Sequence, residues 1–430
     1  MPSKTAVTAN DPDISQDRHG ILLNLVLTTL IGLAALALCL GLSGFTGTAI
    51  ISLCVFHLSL RPRPCEILTT LVPALLYWAA YIYFFNIPLS LRPSPAFLLE
   101  TLGVGSLVVL STRAVWSVGE EKQRILSVLF PAIGLLVFLA AKQRLLNVAA
   151  LQGPTYDLNL FVVDGSLGFY VFQVARAFFR THAVASECII AVYGGLPVAM
   201  AIVYAAHLRK YKRDYHLLQV LVLAGVLGWV LYNLLPAAGP AYLLGPDVLR
   251  PLPTYNQLRL LPLQKIAMPP SVLRNAIPSL HMTWALLLVW NTQKLSRHIH
   301  FFASVFAILT AIATLATGEH YLVDLVVAYP FSLLAQSVCL WRLKNDSIRT
   351  ASVCVGAFLT LGWMLIVRQN PRILLESRML PWAAILLTLG LTYILIRKLG
   401  NAANSVSWED EQLAIHIQEA IGVPQLAPPS

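Results

Sequence analysis

The sequence predicts an all-α, polytopic membrane helix bundle of about twelve spans. Three observations carry that expectation. Hydrophobic residues make up 57% of the 430-residue chain and charged residues only 12%, about half the roughly 25% of a soluble domain. Apolar runs recur along most of the length, and at such lengths only a helix satisfies its own backbone in lipid. Basic residues gather in the short segments between the runs.

Residues 1–19 are polar and lack a basic segment followed by a short apolar stretch and a cleavage site. They are expected to form a disordered cytoplasmic tail rather than a signal peptide. Runs at 20–42, 44–59, 66–85, 96–115 and 124–141 predict an N-terminal transmembrane section over 20–150. Runs at 186–207, 216–235, 280–293, 300–317 and 321–341 fall in a second section, 151–345. Of these, 44–59 and 280–293 are the shortest against the roughly 20 residues a span needs. Residues 142–185 have room for interfacial helices. The Gly- and Pro-rich connection 237–278 is of a length that is usually functional or disordered. Two further spans, 352–367 and 379–396, occupy 346–397. The tail 398–430 predicts one short helix, capped by Ser407 with Asp410 at its third position and ended by Gly422 and Pro424. Its Leu413, Ile417, Ala420 and Ile421 share a face suited to packing, or to docking on a membrane surface or on the basic loops.

The net charge of +10 does not point to nucleic acid, because its distribution follows the membrane pattern. The basic loops at 61–64, 208–216, 293–300 and 341–349 all fall on one side of the span order, which the positive-inside rule makes cytoplasmic. Both termini are then expected in the cytoplasm, and the 237–278 connection on the extracytoplasmic or lumenal face. The basic run 141–144 goes against this trend. The six cysteines are scattered, without CxxC pairs or metal-ligand spacing, and read as small buried residues.

Chemistry concentrates where "RNAIPSLHMTWALLLVW", residues 274–290, enters an apolar helix. Ser279 is placed to cap that helix and His281 lies in its first turn, where free N–H groups make an anion site. The next run returns the chain to the same side at "TGEHYLVDLVVA", residues 317–328. There His320 again begins an apolar helix, and Asp324 lies one turn further on the same face. That spacing lets a carboxylate hold one imidazole nitrogen and leave the other as a nucleophile. His281 then serves as general acid. Cations would stabilise the phosphoryl oxygens, and Arg274 is nearest in sequence, with Lys265, Arg259, Lys142 and Arg144 expected on the same side. Two alternatives remain open at this level. The two histidines could be ordinary interfacial residues, or could form a metal triad with the aspartate.

The pair "AIPSLHMTWA" and, about forty residues later, "GEHYLVDLVVA" resembles two motifs of the type 2 phosphatidic acid phosphatase superfamily. With the upstream "NLLPAAGPAY" at 233–242, the likeness is greatest to its inositol phosphorylceramide synthase branch, over about 155–345. The resemblance implies a six-helix core, catalysis through a phosphohistidine, and no metal or other cofactor. It makes His320 the nucleophile, Asp324 its orienting partner, His281 the general acid and Ser279 a phosphate contact. It also implies a membrane lipid phosphate or phospholipid as substrate, and an alcohol or water as acceptor. Asp157 and Asp164, seven apart and so on one helical face, become candidates to bind a polyol headgroup; solvated acids on an interfacial helix are the alternative. The chain departs from the superfamily in lacking its Lys-x6-Arg-Pro motif, and in having Ala313 and Thr314 where a Ser-Arg pair is expected. These departures favour an inositolphosphotransferase-like activity over a simple lipid phosphate or polyprenyl diphosphate phosphatase. A transporter or scramblase with a non-catalytic core is the alternative outside enzymes.

Overall fold

The computed structural model describes residues 45–85, 95–150, 153–211, 216–245, 251–340 and 346–421. The expected span 20–42 and the tail 1–19 lie outside these residues. In chain order the helices are α1 (Phe45–Ser59), α2 (Pro64–Thr69), α3 (Leu71–Phe85), α4 (Pro95–Trp116), α5 (Gly119–Ala150), α6 (Asp157–Gly165), α7 (Val171–Thr181), α8 (Ala183–Gly194) and α9 (Leu196–Lys210). Then follow α10 (His216–Leu234), α11 (Pro240–Leu244), α12 (Tyr255–Leu260), α13 (Leu280–Thr292), α14 (Arg297–Thr317), α15 (Leu322–Cys339), α16 (Asp346–Gln369), a 3₁₀ turn (Pro371–Leu375) and α17 (Leu380–Ile421). The β pairing among the described residues is one antiparallel bridge, Thr155 to Ile266. The protein is an all-α membrane bundle, as its composition predicts.

Among the described residues eight helices are long and apolar enough to cross a bilayer, or nine if the broken pair α8–α9 counts as one span. The short runs account for part of the difference from the expected twelve. The run at 44–59 becomes α1, of 15 residues, and that at 280–293 becomes α13, of 13 residues. At 1.5 Å per residue α13 is only about 20 Å long, against hydrocarbon of about 30 Å. The run 186–207 is interrupted after Gly194, and α9 restarts with Pro197 in its first turn, where the missing proline N–H costs nothing.

The described residues fall into two compact units, one within Met1–Ala141 with Gly194–Asp214, the other within Lys142–Tyr193 with Tyr215–Ser430. In the first, α4 packs on α1 and α3, and α9 packs on α1. Phe56 and Tyr204 meet edge to face there, with centroids 6.0 Å apart. In the second, α15 is the central element, with α10, α13, α16 and α17 around it. Its Leu333 packs against Ile396 and Leu399 of α17. Trp284, wholly buried on α13, donates its indole N–H to the Leu221 carbonyl of α10 at 2.9 Å, so the largest core side chain has its one polar atom satisfied. The short helix α6 is held to α16 by Asn159, which donates to the Val367 carbonyl at 2.8 Å. One expectation is corrected at the C-terminal end. A single helix continues from Leu380 to Ile421, through the point where Ser407 was expected to cap a separate one. The intervening residues 397–406 contain no proline, and their one glycine, Gly400, costs a helix interior only about 1 kcal/mol, too little to stop it.

Candidate active site

The site is built where α14 ends and α15 begins. Gly318 closes α14 in the left-handed conformation (φ 73°). Tyr321 is the N-cap of α15, and Asp324, three residues on, turns its carboxylate back so that Oδ2 accepts the Tyr321 N–H at 2.8 Å. This capping geometry places Asp324 one turn beyond His320, with Oδ2 3.4 Å from the ring Nδ1. The shorter contact of that nitrogen is to the Ala276 carbonyl, at 2.8 Å. A carbonyl oxygen only accepts, so Nδ1 carries the hydrogen, and the lone pair of the neutral ring resides on Nε2. The Asp324 Oδ1 is buried with no hydrogen-bond partner among the described residues.

His281 reaches the same place from α13. Ser279 caps that helix, its hydroxyl accepting the Met282 N–H at 3.4 Å, and its own N–H donates to the Asp324 carbonyl at 3.2 Å. The Tyr232 hydroxyl donates to the Pro278 carbonyl at 3.0 Å and steadies the approach to the helix. The His281 ring stacks on Tyr193 of α8 at 3.9 Å. It faces His320 edge to face, with ring centroids 6.2 Å apart. All of Ser279, His281, His320 and Asp324 are buried. The two histidines, on separate helices, therefore converge as their placement in the sequence predicts.

Asp157 and Asp164 do lie on one face of α6, but neither is a solvated acid or an open headgroup ligand. Asp157 accepts the Ala238 N–H at 3.1 and 3.0 Å, the Gly239 N–H at 2.8 Å and the Tyr321 hydroxyl at 3.2 Å. Asp164 accepts the first N–H groups of α15, from Leu322 at 2.8 Å and Val323 at 3.1 Å. Both carboxylates are almost wholly buried. Burial raises the Asp157 carboxyl above its ordinary range and pushes Asp164 up to about 7, against the opposing pull of these donors. Their positions explain "NLLPAAGPAY". Gly239 (φ 110°) runs so close to the next segment that a Cβ there would lie 2.3 Å from the Glu319 carbonyl oxygen. Ala241 N–H donates to the Gly318 carbonyl at 2.9 Å, and Ala276 N–H donates to the Ala237 carbonyl at 2.9 Å. Residues 236–241 thus strap the His320 turn to the segment whose carbonyl holds its ring.

The expected cations are mostly engaged elsewhere. Arg274 is 3% exposed and donates to the carbonyls of Gly153, Val272 and Met268. Exposed Lys265 lies over the Tyr156 ring at 4.9 Å. Arg259 donates to the Leu375 carbonyl, Arg144 is exposed on α5, and the Lys142 side chain lies outside the described residues. A cation to which the sequence did not point, Arg176 on α7, lies beside the Gly318 turn. A Cβ at Gly318 would lie 2.9 Å from its Cδ and 3.0 Å from its Nε, which places Arg176 two residues from His320 along the turn. Burial and the neighbouring Arg180 lower its proton affinity, while Glu319 works in the opposite direction. Glu319 in turn accepts the Tyr242 hydroxyl at 3.0 Å, and burial raises its carboxyl. The visible signal was the Arg176–Arg180 pair, one turn apart on a strongly amphipathic helix.

These elements define an integral-membrane protein with a buried His–His–Asp constellation at the entry of two helices. Residues 158–338 match the family model for the PAP2 superfamily, and the matched segment contains all three side chains. That match supports the superfamily, and with it a lipid phosphatase or phosphotransferase type of function. No curated protein and no solved structure matches the chain. Among the described residues no group of three His, Cys, Asp or Glu side chains is arranged to hold a metal ion.

Asp164 generates a pH prediction. Its folded-state value lies above its ordinary 3.8, so the folded protein binds this proton more tightly than the unfolded chain. Its contribution to stability is fullest below about pH 4 and is lost as pH rises through about 7. Thermal midpoints in detergent from pH 4 to 8 should fall with rising pH in the wild type. Asp164→Asn, which cannot ionise, should flatten that slope; an unchanged slope contradicts the assignment.

Proposed function

We propose that the protein is a metal-independent lipid phosphotransferase working through a phosphohistidine at His320. The observation that carries this reading is the Ala276 carbonyl on the His320 Nδ1, which leaves Nε2 as the attacking atom. In the first step the Nε2 lone pair forms a bond to the lipid-linked phosphorus. The P–O bond to the leaving group breaks, and His281 donates a proton to the departing oxygen. In the second step His281 takes a proton from an acceptor hydroxyl, whose oxygen attacks the phosphohistidine and releases His320. Asp324 holds the ring and stabilises the positive charge that it gains. Arg176, beside the His320 turn, is the cation placed to meet phosphoryl charge. The resemblance of the two histidine motifs, together with the missing Lys-x6-Arg-Pro motif, supports an acceptor such as an inositol-like polyol and a phospholipid donor. Water as acceptor gives the phosphatase reading of the same site.

Because His320 must be unprotonated at Nε2 while His281 must carry a proton, the rate should follow a bell-shaped pH profile belonging to the coupled pair. His320→Ala should lose on the order of 10³-fold or more in turnover. Asp324→Asn should slow phosphoenzyme formation by on the order of 10²–10⁴-fold while leaving the apparent substrate constant nearly unchanged. Both are measured by rapid quench with radiolabelled lipid phosphate, with and without chelator. Full turnover in His320→Ala refutes the reading. Loss of wild-type activity on chelation transfers the site to a metal mechanism. Release of free phosphate with no dependence on added alcohol selects the phosphatase.

Loop charge supports an extracytoplasmic or lumenal site with both termini in the cytoplasm, since the basic loops are the short ones and those dominate orientation. A cysteine at exposed Asn256, in a background without the native cysteines, should react with an impermeant thiol reagent in intact cells or lumen-out vesicles. Reaction only after permeabilisation reverses the orientation.

A further inference from the structure

A charged cavity lies in the first unit, lined by none of the histidines. It measures about 970 Å³ and is lined by Arg61, Arg113, Arg124 and Arg209, against two acids, Glu120 and Glu121. It sits where the last turns of α1, α4 and α9 meet the first turns of α5. Since α4 and α5 are each long and apolar enough to span a bilayer, the cavity lies at a membrane edge. Arg113 is held in place by Glu66 at 3.2 Å and Glu121 at 3.0 Å. Arg61, Arg124 and Arg209 are exposed. Arg61 is the one non-glycine residue among those described with positive φ (52°), a conformation that a long side chain rarely adopts. The lining is not only charged. Leu60, Ile125 and Leu208 contribute apolar surface, and Leu60 and Ile125 are buried.

We infer that this cavity binds the phosphate headgroup of an anionic phospholipid, at a site separate from the one proposed for catalysis. Guanidinium forks match phosphate oxygens in pairs, and a cluster of them on a compact rim is the chemistry of a phosphate ester. The excess of arginine over acid around the cavity gives it net positive charge. An apolar floor at the end of spanning helices suits an amphiphile, whose head meets the arginines while its glycerol and upper chain lie on leucine and isoleucine. The volume is that of a small-molecule site, enough for a headgroup with its backbone.

The test uses the full chain in phosphatidylcholine nanodiscs with a photoactivatable diazirine carried near the headgroup of phosphatidic acid, and the same tag on phosphatidylcholine. Labelled peptides are mapped by mass spectrometry. Peptides covering 119–128 and 205–209 should take up at least five-fold more phosphatidic acid probe than phosphatidylcholine probe. The triple variant Arg61→Gln, Arg124→Gln, Arg209→Gln should lose that preference, and excess glycerol phosphate should leave wild-type labelling unchanged. Equal labelling by the two wild-type probes overturns the inference without relying on any variant. Undiminished preference in the triple variant also overturns it. Competition by glycerol phosphate assigns the cavity to a soluble phosphate ester and overturns the lipid assignment.

Discussion

The arrangement depends on two buried carboxylates, Asp157 and Asp164, that form no ion pair among the described residues. A buried carboxylate is costly unless donors surround it, and here the donors are backbone N–H groups from segments distant in sequence. Asp157 gathers those of Ala238 and Gly239, and Asp164 those of Leu322 and Val323. Because both acids project from one face of α6, the 236–241 strap and the α15 N-terminus are fixed relative to each other. Asp164 accepts the first N–H groups of α15, and burial outweighs these donors in favouring its protonated form, so the acid locates the turn that carries His320 through hydrogen bonds rather than through its charge.

From that constraint the histidine geometry follows. The strap holds Ala276 through Ala237, and Ala276 presents its carbonyl to His320. Asp324 is fixed by capping its own helix before it interacts with the ring. Ser279 ties α13 back to the Asp324 carbonyl, so the helix bearing His281 is joined directly to the one that follows His320. The two imidazole rings and the Asp324 carboxylate are thus held by the fold itself, which is the kind of preorganisation phosphoryl transfer exploits.

How much of this was legible in the sequence depends on how local the cause is. Apolar runs and helix caps are local, and most spans together with the His320–Asp324 spacing could be read directly. The length of α13 could be read too, but not its consequence, because hydropathy does not say whether a 13-residue helix crosses lipid or ends against other helices. Asp157 and Asp164 were readable as a pair on one face, yet their partners lie roughly 80 and 160 positions away, so their purpose was not. The Ala276 carbonyl carries no side-chain signature at all. Arg274 drew attention by proximity in sequence, whereas three backbone carbonyls engage it, and Arg176 reaches the His320 turn from well over a hundred positions upstream.

The central claim is that His320 carries the phosphoryl group. The direct measurement is to quench the protein during turnover of a phosphorus-labelled lipid phosphate and locate the label by peptide mapping. The account predicts an acid-labile, base-stable phosphate on His320, accumulating when acceptor is withheld and discharged when it is added. A label on another residue, or steady turnover with no labelled protein in the wild type and none in an acceptor-starved sample, contradicts it.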